Sequence, residues 1–112
     1  PPQPAQNTTI ACVAVNAALT PAQAKRIAIM AQDGMARALR PVHAPVDGDV
    51  VFVLATGARP LEEPAAYQMT MLGMLAADCL TRAIGRAVFE AEPLGPWESY
   101  RTRHPKGFAP RS

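Results

Sequence analysis

"AQNTTIACVAVNA", residues 5–17, decides how the rest of the chain is read. Residues 8–16 are β-branched or small, with Ile10, Cys12 and Ala14 alternating against Ala11, Val13 and Val15. Both sets are apolar, which predicts a strand covered on both faces. The run nevertheless starts on a polar Asn7-Thr8-Thr9 step, directly after the proline-rich PPQPAQ. That step is either ordinary strand-entry punctuation or a place where the chain is cut, so that a threonine becomes an N-terminus carrying both a hydroxyl and an amine.

Downstream, Thr20 offers a capping hydroxyl, Pro21 suits a first helical turn and Gln23 completes a capping-box spacing, predicting a helix over residues 21–39. Its stripe is Ala24, Ile27, Ala31, Met35 and Leu39, with Asp33-Gly34 read as part of a solvated face. Pro41 and Pro45 stop it. A turn at Asp47-Gly48 then leads into a second doubly apolar strand over residues 50–56, ended by Gly57. A loop over 58–65 opens a long helix at about 64–92, striped by Met69, Leu72, Ala76, Cys79, Ala83 and Ala87. Asp78-Arg82 and Arg86-Glu90 stand at ion-pair spacing on it, and Gly73 and Gly85 allow close packing. The chain thus divides into a leader or the end of another subunit (1–7), an αβ core (8–92) and an irregular tail strapped over a surface (93–112). Two strands that each need cover on both faces, with only two helices to supply it, look like half of an α/β fold.

Composition excludes several functions. The 112 residues carry a net charge of +2 with scattered Lys and Arg, which argues against nucleic acid. The longest apolar stretch, residues 69–77, is broken by Asp78 and falls well short of the ~20 residues a membrane span needs. Cys12 and Cys79 have no metal-ligand spacing to His43 or His104 and read as buried free thiols, pointing to the cytoplasm. The two histidines themselves read as loop residues.

Chemistry has few places to sit. A threonine hydroxyl is a poor nucleophile alone, but an N-terminal threonine brings its own base, because an α-amine titrates near pH ~7.7–8.0. Thr8 would gain that amine if the Asn7–Thr8 bond were broken. The second candidate is Asp47-Gly48-Asp49 at the mouth of the second strand: a plain turn, a metal-binding DxD pair, or carboxylates placed to hold the Thr8 amine during acyl transfer.

NTTIACVAVNA (7–17), LTPAQAKRIAIMAQDGMARALRPVHAP (19–45) and DGDVVFVLATG (47–57), in this order and at these separations, resemble the small C-terminal subunit of the DmpA-like hydrolases. These are the L-aminopeptidase/D-esterase and β-aminopeptidase enzymes and the endo-type nylon oligomer hydrolase; the likeness covers about residues 5–92. The resemblance implies a precursor that cleaves itself before a Ser or Thr, giving a large and a small subunit that together form a four-layer α/β/β/α sandwich. It makes Asn7-Thr8 the cleavage step, Thr8 the nucleophile, and Asp47 and Asp49 the family's acidic pair. Thr in place of the peptidase branch's Ser, and Asp47 with Asp49 in place of Ser and Glu, look like the nylon-oligomer-hydrolase branch. The oxyanion-forming asparagine and the Tyr or Lys helpers would come from the large subunit.

The resemblance further implies small peptides or amides as substrates, no metal or other cofactor, and association of the large-small pair into a higher homo-oligomer. Two other readings stand beside amide hydrolysis. One is acyl transfer of the ornithine acetyltransferase type; the other is an assembly module that keeps the fold without the chemistry.

Overall fold

The computed structural model describes residues 7–108; the expected leader, apart from Asn7, and the last four residues of the tail lie outside them. Strand β1 (Ile10–Ala17) leads into helix α1 (Pro21–Ala38), which returns the chain to strand β2 (Val50–Arg59). Long helix α2 (Ala65–Glu90) and short helix α3 (Tyr100–Arg103) follow. The strands pair in parallel, Ile10 opposite Val50 through Val15 opposite Ala55, as expected for a βαβ unit. The capping box at the start of α1 is present in full: Thr20 Oγ1 accepts from the Gln23 N–H, and Gln23 Oε1 accepts from the Thr20 N–H.

Burial follows the α1 stripe. Ile27, Ala31 and Met35 are fully buried and join Ala11, Ala76 and Leu80 in one cluster, with Val13, Val51 and Val53 of the sheet packed against it. Among the described residues only one face of the sheet is covered. Ile10, Phe52 and Leu54 on the other face are 71%, 58% and 58% exposed, and Cys12 and Ala14 lie open beside them. The expected cover on both faces is therefore absent among the described residues, because both long helices lie on the same side.

Several local expectations are corrected. Cys12 and Cys79 are free but exposed rather than buried, the first on the bare sheet face and the second on α2. Gly34 is not on a wet face: it is buried, and a Cβ there would overlap the Ala77 carbonyl, so it marks a close backbone approach of α1 to α2. Gly73 plays the same part against Met30, whereas Gly85 faces open space. Asp78 pairs with Arg37 across the two helices at 2.9 Å instead of with Arg82, while Arg86–Glu90 forms within α2 at 3.2 Å. Gly57 does not end β2: with φ of +73° it sits where the register slips, between Val15 and Ala17 of the partner strand, and β2 continues to Arg59. The tail contains α3, capped by buried Ser99, and a 3-10 turn at Pro105–Phe108.

Candidate active site

The site is assembled where the two parallel strands begin. Asn7 forms an isolated parallel bridge with Asp47, three residues ahead of the Ile10–Val50 pair. The Gly48 N–H donates to the Asn7 carbonyl oxygen at 2.8 Å, and the Val50 N–H donates to the Thr9 carbonyl oxygen at 2.9 Å. Thr8 is thus bracketed between two backbone bonds to the opposite strand. Its hydroxyl lies over Gly48, where an added Cβ would come within 3.0 Å of Thr8 Oγ1. The expected neighbourhood of Asn7, Thr8, Asp47 and Asp49 is therefore one place, and all four line an open hollow of about 360 Å³.

The two aspartates do different work. Asp47 closes a turn with Ala44: its N–H donates to the Ala44 carbonyl at 2.8 Å, and its Oδ2 accepts from the Ala44 N–H at 2.8 Å. The turn thus precedes Asp47-Gly48, where the sequence placed it, and leaves Gly48 in line with the strand. Asp49 faces inward with a side chain only 7% exposed. Its Oδ1 accepts from the Thr9 N–H at 3.0 Å, so it grips the chain one residue beyond Thr8.

His43 is the residue that sequence reasoning passed over. Its backbone stands at φ +54°, a left-handed conformation uncommon outside glycine but several-fold enriched in histidine. In that conformation both its N–H, at 3.2 Å, and its Nδ1, at 2.9 Å, reach Asp49 Oδ2. Desolvation of the shielded carboxyl works to raise its pKa; the Thr9 N–H, the His43 imidazole and the His43 N–H outweigh this and hold Asp49 below the ordinary carboxylate value. Asp49 is thus a charged clamp joining the loop after α1 to the start of β1. The one hint in the sequence is a histidine six residues before an aspartate, flanked by Pro41 and Pro45 in a tight loop.

Thr8 thus stands at the strand mouth, between a backbone bond at Asn7 and a carboxylate that holds Thr9. Residues 2–100 match Peptidase family S58. The chain belongs to peptidase family S58. It is similar to mycobacterial proteins each named an uncharacterized aminopeptidase. Those of Mycobacterium tuberculosis and Mycobacterium bovis are 45% identical over 111 residues, covering 91% of this chain and 32% of the relative. That of Mycobacterium leprae is 43% identical over 116 residues, covering 96% of this chain and 32% of the relative. The chain therefore spans about a third of the length of these relatives. Among the described residues no helix is long and apolar enough to cross a membrane.

Proposed function

We propose that this chain is the nucleophile-bearing small subunit of a self-processing amide hydrolase, an aminopeptidase or amidase that becomes active on cleavage between Asn7 and Thr8. One observation carries the reading: the Asn7–Thr8 peptide is pinned against Asp47-Gly48-Asp49, with the Thr8 hydroxyl over the single residue that has no side chain to displace it. In the mature enzyme the Thr8 α-amine takes the proton of its own hydroxyl. Oγ then adds to the amide carbon of a small peptide or amide, and the proton passes to the departing amine. Water opens the resulting ester on Thr8 and restores the hydroxyl.

Asp49 acts as the positioning carboxylate. It fixes Thr9 and places a negative charge near the ammonium that Thr8 forms during the reaction, while Asp47 shapes the turn that presents Gly48. The bare sheet face supports a large subunit as partner. A second sheet laid on Ile10, Cys12, Phe52 and Leu54 would complete an α/β/β/α sandwich, and contiguous apolar surface of this kind marks an interface. In this arrangement residues 1–7 close the large subunit, 8–92 form the small-subunit core and 93–112 lie outside it. The large-small pair associates further with copies of itself, and the enzyme works in the cytoplasm.

The test is to quench the complete enzyme in acid during turnover of a small aminoacyl amide and map the acyl group by mass spectrometry. The acyl group is expected on the Thr8-containing peptide, with Thr8→Ala unable to form it. Ornithine added to the reaction is expected to leave the hydrolysis product unchanged; efficient transfer of the acyl group to ornithine would instead make the enzyme an acyltransferase. Absence of any acyl-Thr8 and of turnover would leave the chain a structural module.

A further inference from the structure

We propose that the backbone N–H of Gly48 is an oxyanion donor for the self-cleavage step; this rests on Thr8 being the nucleophile that cuts its own chain. The donor already lies 2.8 Å from the Asn7 carbonyl oxygen, the oxygen on which negative charge gathers when the Asn7–Thr8 bond is attacked. The donor is thus in place before attack, close to where the oxyanion forms, and a preorganised donor spends nothing on reorganisation.

The surroundings fix both partners. Gly48 follows Asp47, whose N–H and Oδ2 are both tied to Ala44, so the Gly48 N–H cannot swing away without opening that turn. On the other strand the Thr9 N–H is held by Asp49 and the Thr9 carbonyl by the Val50 N–H, so the peptide on the far side of Thr8 is also fixed. Between these anchors the Thr8 hydroxyl sits against Gly48, where any side chain would crowd Oγ1 at 3.0 Å. One residue therefore both supplies the donor and leaves room for the nucleophile.

In the step itself, Thr8 Oγ forms a bond to the Asn7 carbonyl carbon and the carbonyl π pair moves onto oxygen, where the Gly48 N–H holds it. The Oγ proton goes to the Thr8 nitrogen. The pair then returns to carbon, the carbon–nitrogen bond breaks, and Asn7 is left as an ester on Thr8 beside a free Thr8 amine. Water hydrolyses the ester, giving the Asn7 carboxylic acid and regenerating the hydroxyl.

The experiment is backbone substitution in the full precursor. Glycolic acid replaces Gly48, exchanging its N–H for an ester oxygen while adding no side chain, and processing is followed by intact mass. The rate is expected to fall roughly 10²–10³-fold, the cost of losing one such donor. The matching ester at Val50, which deletes the neighbouring ladder bond to the Thr9 carbonyl, is expected to process near the native rate. Native-rate processing of the Gly48 ester, or equal slowing by the two esters, overturns the proposal while Thr8→Ala stays uncut. Cleavage of Thr8→Ala overturns the underlying reading of Thr8, and this proposal with it.

Discussion

Adding one methyl group at Gly34 and one at Gly85 should change stability in opposite directions. Both glycines lie inside helices, where alanine is favoured by about 0.8–1.0 kcal/mol on conformational grounds. At Gly85 nothing lies within 4 Å of the new Cβ, so Gly85→Ala should realise that gain almost whole. At Gly34 the new Cβ would overlap the Ala77 carbonyl, and backbone atoms cannot rotate out of the way. The helices must separate there, at the ~1–3 kcal/mol typical of overpacking a tight core. The same movement strains the bond from Thr81 Oγ1 to the Gly34 carbonyl, 2.9 Å long and half-buried, worth about 0.5–1.5 kcal/mol. The Arg37–Asp78 pair alongside it adds little, because both side chains are more than half exposed. Gly34→Ala should therefore come out destabilising by roughly 0.5–3.5 kcal/mol once the propensity gain is subtracted. Chemical denaturation of the complete protein, comparing the two variants with the parent, measures the difference. Gly34→Ala stabilising to the same degree as Gly85→Ala would refute the close crossing of α1 and α2.

Asp49→Asn should lower the thermal midpoint at neutral pH, since the folded carboxylate is held below its ordinary pKa and so stabilises the fold once ionised. Such a contribution is fully present above the unfolded value, about 3.9, and fades as pH falls through the folded one, so the two midpoints should converge in acid; a gap unchanged between pH 7 and pH 3 would speak against the clamp. Phe52→Glu replaces an apolar ring, 58% exposed, by a charge on the bare sheet face; this forfeits about 1–2 kcal/mol, the still-exposed share of a full burial, and should leave less assembled complex by size-exclusion chromatography. Undiminished assembly would place the partner elsewhere. His43→Ala should slow processing, measured by gel mobility of the precursor over time, because Asp49 loses the imidazole bond and keeps only the backbone N–H groups of residues 9 and 43. An unchanged rate would reduce His43 to a loop residue.

The order β1, α1, β2, α2 was legible because each element carries its own local signal. Thr20 and Gln23 mark a helix start by hydrogen bonds they make to each other, and Ile27, Ala31 and Met35 declare a buried stripe by spacing alone. Asn7, Thr8, Asp47 and Asp49 came together because two parallel strands that start level bring their first residues to one edge. The errors have a common physical origin. Apolar pattern states which residues need cover but not what covers them, so Cys12 and Cys79 were placed inside when the surface that would bury them is not among the described residues. Gly34 and Gly73 have no side chain to enter a periodicity, and the close approach they permit depends on the partner helix. His43 could not be read because its role depends on a left-handed backbone that turns its N–H and Nδ1 to the same oxygen of Asp49.

The most direct measurement is the intact mass and N-terminal sequence of the chain recovered from the complete precursor, for the native protein and for Thr8→Ala. A native small subunit that begins at Thr8, with the variant still joined through Asn7, is the expected result. A native chain that remains continuous across Asn7–Thr8 in a fully assembled protein would contradict the account, and the threonine would be no more than the entry to a strand.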